Sequence, residues 1–316
     1  VNRLNQVKSR VACIGAVNLD RKASAKQPLI IHTSNPVSMS QSCGGVARNI
    51  GENLVRLGCE VTMLSCIGDD GEGRYIKEES IALGMQVDSI RTLEQARTGT
   101  YTALLDTNGE MFVAMAHMDI NDLMTPEMVD EMWPAVATAN AVLLDTNFPE
   151  ACIEHIIARC HLEGISLYID PVSTPKARKL PDFLFGVEVI MPNRDEAETM
   201  SGLRIDTIAD CEEACARIRA RGARNVIMTL GEQGIYCSTP DRDTHLPAMH
   251  VDVVDVTGAG DAFAAGLIYG VLQGKSLVDA CRVGIAASAL TLQTVFSVRP
   301  DLSINQLNKL IEEPVQ

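Results

Sequence analysis

Short apolar runs that end in polar residues recur along this chain, and their spacing fits the strands of a buried sheet. Arg10 to Val17 (RVACIGAV) is the first, running into Asn18-Leu19-Asp20, and Val61 to Ile67 is another. From Ala141 onward strands and helices alternate at short intervals. AVLLD is followed by a helix from Pro149 to about His161, then SLYID, a segment ending VEVIMPN, a helix after Asp195, NVIMTL, and a helical run beginning at Asp261. This alternation predicts a mainly parallel sheet covered by helices on both faces, an α/β fold. Parallel strands deliver their polar ends to one edge, the edge at which open α/β sheets bind ligands. Asp20, Asn147, Asp170, Ser173, Asn193 and Glu196 are therefore expected to gather there.

Two stretches interrupt the pattern. Residues 21 to 42 are polar, with two prolines and several serines, and suit an excursion from the core. Thr100 to Asp106 and Glu110 to Met115 flank Thr107-Asn108-Gly109, and Asn-Gly between strand-like runs signals a hairpin. The two stretches together predict a small sheet beside the core, with Tyr101, Met115 and Met118 either lining its inner face or simply packing. No internal repeat or linker is visible. The expected organisation is one core, 1–17, 44–97 and 121–316, with 18–43 and 98–120 inserted as the small sheet.

Composition narrows the function. A chain of 316 residues that is 46% hydrophobic can bury a large core. A net charge of −14 opposes attraction to nucleic-acid phosphates and anionic membranes, which favours a small-molecule partner. The ten cysteines are scattered with no C-x-x-C pair, so reduced core cysteines are expected rather than a metal or disulfide framework. Without a glycosylation sequon, a long apolar run or a signal-peptide pattern, the expected compartment is the cytoplasm.

Candidate chemistry centres on Val253 to Gly266, VVDVTGAGDAFAAG. The small residues Gly258, Ala259 and Gly260 leave backbone amides bare before a helix, where unpaired N–H groups and the helix dipole attract an anion. Asp261 at that point reads either as a helix cap or as a reacting group. Gly44-Gly45 before another helix permits close approach of a ligand to the backbone. Asn193 and Glu196 have capping-box spacing. Thr229-Leu230-Gly231-Glu232-Gln233-Gly234 is a glycine turn. Gly284 to Leu290 (GIAASAL) suits either tight helix packing or passage beside a flat base. Gly68 to Gly73 lacks the Lys-Ser/Thr of a nucleotide P-loop and reads as structural.

The string VVDVTGAGDAFAAG resembles the C-terminal signature of the ribokinase-like (PfkB) sugar and nucleoside kinases. Gly44-Gly45-Val46-Ala47-Arg48-Asn49, with Gly58 and Gly68 at matching distances, resembles the N-terminal one, and Gly51 departs from it. The resemblance implies a three-layer α/β/α ribokinase-like fold whose small β-sheet is a lid, in some relatives also a homodimer interface. It implies ATP and Mg²⁺ as cofactors. Asp261 would be the general base, with the Gly258, Ala259 and Gly260 amides holding the phosphoryl group. Asp20, Gly44, Gly45 and Asn49 would contact the sugar. Asn193 and Glu196 would organise Mg²⁺ through water. Thr229, Gly231, Gly234, Thr257 and Ala289 would join the nucleotide site, and Asp255 with Thr257 would bind a monovalent cation such as K⁺. A further set, GGVARNIGENL, LLDTNGEM, IDPVSTPK, MPNRDEAETMSG, VTGAGDA and PDLSI, resembles the members that act on pseudouridine. It implies the 5′-hydroxyl of free pseudouridine as acceptor, with Asn147, Ser173 and Lys176 near base or ribose. Ribose or another nucleoside is the alternative acceptor, and a catalytically silent nucleoside-binding regulator the alternative role. Asp261, the G-A-G loop and the N-x-x-E together argue against the last.

Overall fold

The computed structural model describes residues 8–312; the outermost parts of the expected core, 1–7 and 313–316, lie outside the described residues. In chain order the strands are β1 (Arg10–Ile14), β2 (Asn18–Ala25), β3 (Val37–Gly44), β4 (Glu60–Gly68), β5 (Ile90–Leu93), β6 (Thr100–Leu105), β7 (Met111–His117), β8 (Ala141–Asp145), β9 (Leu167–Asp170), β10 (Val187–Ile190), β11 (Asn225–Thr229), β12 (Ile235–Ser238) and β13 (Asp243–Leu246). Nine of them form one sheet in the order β13-β12-β11-β10-β9-β8-β1-β4-β5. It is parallel from β5 to β11 and antiparallel at the β11-β12-β13 edge.

The strand side chains alternate between two cores, as the pleat requires. Ala12, Ile14, Val142 and Leu144 point to one face, where they meet α3 (Pro126–Met132), α4 (Glu150–Glu163), α6 (Arg194–Ser201) and α7 (Ile208–Ala220). Val11, Cys13 and Leu143 point to the other, under α1 (Val46–Arg56), α2 (Gly71–Ala82), α8 (Ala259–Leu272) and α9 (Leu277–Leu292). The helices thus form two outer layers around the sheet. The short α5 (Thr174–Ala177) follows β9, and α10 (Ile304–Glu312) packs Leu307 against α8 and α9. All ten cysteines are free, nine of them buried. No helix among the described residues is long and apolar enough to cross a membrane.

The interrupting stretches form a second sheet, β3-β2-β6-β7. Register assigns its faces. Ser42, Asp20, Tyr101 and Ala116 lie opposite one another across its four strands and share one face. Gln41, Arg21, Thr102 and Met115 share the other. Tyr101 is therefore on the face of Asp20, whereas Met115 is not, a correction to the expectation that both line one inner face.

Small residues in α8 and α9 are used for helix contact. A Cβ on Gly266 would lie 2.8 Å from the Gly284 Cα, and one on Gly284 would lie 2.7 Å from the Phe263 carbonyl oxygen. Gly266→Ala must push backbone against backbone and is expected to cost about 1–3 kcal/mol of stability, read as a lower urea midpoint at unchanged m-value.

Candidate active site

The carboxyl ends of the parallel strands bring acidic side chains to one edge. Asp145 and Asp170 end β8 and β9 in register with each other. Asp145 is fully buried, and its oxygens accept from three backbone N–H groups: Ala16 at 3.0 Å, Ala47 at 3.0 Å and Asn147 at 2.9 Å. One carboxylate thereby ties together the exit of β1, the start of α1 and the turn after β8. Gly15 leaves room for it, since a Cβ there would lie 2.2 Å from the Asp145 carboxyl carbon.

The loop before α8 supplies the opposite wall. Gly258 caps the helix at φ +79, and a Cβ on it would lie 1.8 Å from the Ser297 carbonyl oxygen, so glycine is required on two counts. The left-handed cap starts the helix at Ala259, two residues earlier than the apolar pattern indicates. Asp261 is therefore the third helical residue and makes no capping bond. The Ala259 N–H, expected among the anion donors, instead donates to the Val256 carbonyl at 3.3 Å, whereas those of Gly260 and Asp261 have no acceptor among the described residues, and a Cβ on Gly260 would meet nothing within 4 Å. Free donors at the start of a 14-residue helix, facing open space, suit an anion.

Asp261 accepts from Asn49 Nδ2 at 2.9 Å, a bond that joins α1 to α8 across 212 residues. Burial raises its pKa to about 7; the Asn49 bond opposes the rise, and the charges of Asp145 and Asp20 add to it. Asp170 is pushed well up by burial and by the charges of Asp261, Glu196 and Asp145. Asp20 is also raised, by burial first, while Asn18, Lys22 and Arg48 oppose. A Cβ on Gly44 would lie 2.1 Å from Asp20 Oδ2, and one on Gly45, at φ +102, would lie 2.2 Å from the Ala16 carbonyl oxygen. Both glycines let β2, β3 and the start of α1 close onto the same edge.

The other sequence-designated residues fall into two groups. Asn193 and Glu196 form a full capping box, with Asn193 N–H and Nδ2 donating to the two Glu196 oxygens at 2.9 and 2.8 Å. Thr229 bridges Asn193 directly, so these three share the sheet edge. Lys176 Nζ donates to Asn147 Oδ1, linking α5 to the turn after β8; burial lowers its pKa and the Asp145 charge opposes. Ser173 starts α5 after Val172, whose φ of +65 is a strained conformation for a β-branched residue. Asp255 Oδ1 accepts from the Thr257 N–H and hydroxyl.

The second group is explained by backbone conformation or packing. A Cβ on Gly234 would lie 2.1 Å from the Leu246 carbonyl oxygen, and Gly231 takes φ +59 in a short 3-10 turn. Ala289 is 2% exposed, its side chain spent on packing. Sequence reading missed Asp145 and did not single out Asp170 as a site residue. The signal for both is an acid ending an otherwise apolar strand.

Among the described residues, no group of three or more His, Cys, Asp or Glu is arranged to hold a metal ion. The acids of this edge are held by backbone and amide donors, Asp170 by the Val172 N–H at 2.8 Å, and raise one another's pKa through their charges.

The family model for pfkB family carbohydrate kinases matches residues 8–300. Pseudouridine kinase of Escherichia coli (strain K12) is 31% identical over 306 residues, 96% of this chain and 97% of that protein. Among solved structures, a carbohydrate kinase from Agrobacterium tumefaciens superimposes with a TM-score of 0.85 at 27% identity, covering 96% of this chain and 97% of that one. Arabidopsis thaliana ribokinase, complexed with ribose and ATP, superimposes with a TM-score of 0.84 at 22% identity, covering 97% and 99%. Both are similar in fold across essentially the whole molecule.

The raised pKa of Asp261 makes a stability prediction. An unfolded Asp ionises near its ordinary value, about 3.9, so its folded-state contribution is complete below that pH and is lost as pH rises through about 7. Asp261→Asn removes a charge the fold resists. It is expected to melt within a degree or so of the parent at pH 4 and several degrees above it at pH 8, by scanning calorimetry at each pH.

Proposed function

Because the chain belongs to the pfkB family of carbohydrate kinases, we propose that it transfers the γ-phosphoryl of ATP to the 5′-hydroxyl of free pseudouridine, giving pseudouridine 5′-phosphate. The observation that carries the acceptor is the 31% identity, over nearly the full length of both proteins, to a pseudouridine kinase. The geometry supports the reaction type.

In this reading the acceptor hydroxyl lies between Asp20 and Asp261, with Asn49 fixing the Asp261 carboxylate. A carboxyl with a pKa near 7 takes up a proton at neutral pH far more readily than an ordinary aspartate, which suits a general base. The N–H groups of Gly260 and Asp261 receive the negative charge of the transferred group, as positioned donors do in phosphoryl transfer. Mg²⁺ bound with ATP would supply further charge neutralisation. Both Glu196 oxygens are engaged by Asn193, so the residues fit a water-mediated role near such an ion better than direct ligation. Thr229 and Asn193 would face the nucleotide, and Asn147, Ser173 and Lys176 the acceptor. The second sheet, carrying Asp20 over the edge, would act as a lid that keeps water from the phosphoryl group.

The outer face of that sheet supports a homodimer. Met39, Ala23, Leu104 and Val113 lie opposite one another across it, and Met39, Val113 and Met115 are 58%, 44% and 60% exposed. A second copy of the chain is the proposed cover. Met39→Lys with Val113→Lys should then sediment as a monomer while the parent sediments as a dimer; a parent monomer overturns this assignment alone.

Acceptor and mechanism are tested together by initial rates with pseudouridine, uridine and ribose. Pseudouridine is expected to give the highest kcat/KM, and a clear preference for ribose would replace the acceptor while leaving the kinase assignment in place. Asp261→Asn should lower kcat by roughly 10²–10⁴-fold or more with the fold intact by circular dichroism. Near-parental turnover in that variant would remove Asp261 from the base role.

A further inference from the structure

The loop before α8 carries the free N–H groups, and an ammonium from the second sheet faces it. Asp255 Oδ1 is taken by the Thr257 N–H at 2.9 Å and the Thr257 hydroxyl at 2.7 Å. Its other oxygen, Oδ2, faces the Lys22 ammonium at 3.5 Å. Oxygens on the facing segment are engaged as well. The Leu292 carbonyl accepts from Val254 N–H at 2.7 Å and Asp255 N–H at 3.4 Å, the Thr291 carbonyl accepts from Thr294 N–H at 3.0 Å, and the Thr294 hydroxyl, with its single proton, stands 3.2 Å from both the Thr291 and the Phe296 carbonyl oxygens.

A monovalent cation at Asp255 and Thr257, which the family resemblance implies, does not fit this arrangement. It would have to share Oδ2 with an ammonium of the same charge or displace it, and it would compete with protons for the neighbouring carbonyls. Lys22 already supplies the charge such an ion would bring. It stands on β2 two residues after Asp20, hence on the same face of the strand, and pairs across the sheet with Ser40 and Ala103. The same strand therefore carries one carboxylate to the site and one cation to the loop that shapes it.

We propose that Lys22 is the built-in countercation of the Asp255 loop, so that this chain positions its phosphoryl-binding amides without a bound monovalent cation and couples their position to the seating of β2. Lys22 is a positioning residue: it touches Asp255, and Asp255 holds Thr257 next to the Gly258 turn. The proposal rests on the kinase reading for its turnover readout, but its nucleotide-binding readout is independent of which acceptor the enzyme uses.

The test compares the parent, Lys22→Met and Lys22→Arg in a buffer whose only monovalent cation is tetramethylammonium, and again with K⁺ at the same ionic strength. MgATP affinity, by titration calorimetry, and turnover are measured in both. The parent and Lys22→Arg should respond to K⁺ by less than about 1.5-fold, within the small energies of a partly exposed ion pair. Lys22→Met should bind MgATP and turn over up to about fivefold less well without K⁺, and K⁺ should restore it. A parent activated severalfold by K⁺, a Lys22→Met protein indistinguishable from the parent without K⁺, or a loss that K⁺ does not restore would each overturn the proposal. Failure of the acceptor assignment would instead show as intact MgATP binding and intact K⁺ behaviour with no product from pseudouridine.

Discussion

The site depends on one buried carboxylate that accepts three backbone hydrogen bonds. Asp145 lies at the end of a fully buried strand, where an ionised oxygen is costly unless donors surround it. The N–H groups of Ala16, Ala47 and Asn147 provide them, and in doing so fix where β1, α1 and the turn after β8 meet. Asn49 is then in place one turn into α1, and through Asn49 so is the carboxylate of Asp261. Loss of the Asp145 acceptor would free three segments at once.

The same gathering of strand ends creates the electrostatic tension that the proposed chemistry would use. Asp20, Asp145, Asp170 and Glu196 approach Asp261 or one another closely enough for their charges to raise pKa values, and Lys22 and Arg48 oppose at the β2 side. A carboxyl held near pH 7 is unfavourable for the fold and favourable for a base. The helix dipole and unpaired amides a few ångströms along the chain are, by contrast, incomplete without an anion. Negative side chains and an anion-seeking loop stand side by side, and the proposed reaction would use both: an acceptor proton drawn one way and phosphoryl charge received the other.

Much of the fold was legible because each strand is an apolar run closed by a polar residue, and a parallel sheet turns that one-dimensional regularity into a shared edge. The two glycine-rich stretches stood out as well, though for ligand approach, whereas the structure requires Gly44, Gly45 and Gly258 for close contacts with Asp20, Ala16 and Ser297. What could not be read was set by long-range pairing. Asp145 looks locally like any acid starting a turn, and two of its donors lie 129 and 98 residues away. Met115 and Tyr101 both belong to strand-like runs, and only the register against β2 puts them on opposite faces. The start of α8 moved to Ala259 because the left-handed turn at Gly258, fixed by the approach of Ser297, begins the helix before the apolar residues do. Asn193 and Glu196 were legible as a capping box, and their bonds to each other now limit how directly they can bind an ion.

The central claim, that Asp261 accepts the proton of the attacking hydroxyl from a perturbed pKa, is tested most directly by the pH dependence of kcat/KM for the phosphoryl acceptor at saturating MgATP. The account predicts a rate that rises about tenfold per pH unit below an inflection near 7 and levels off above it, with that inflection absent from the residual rate of Asp261→Asn. A flat profile between about pH 5 and 8, or an unchanged inflection in the variant, would contradict it.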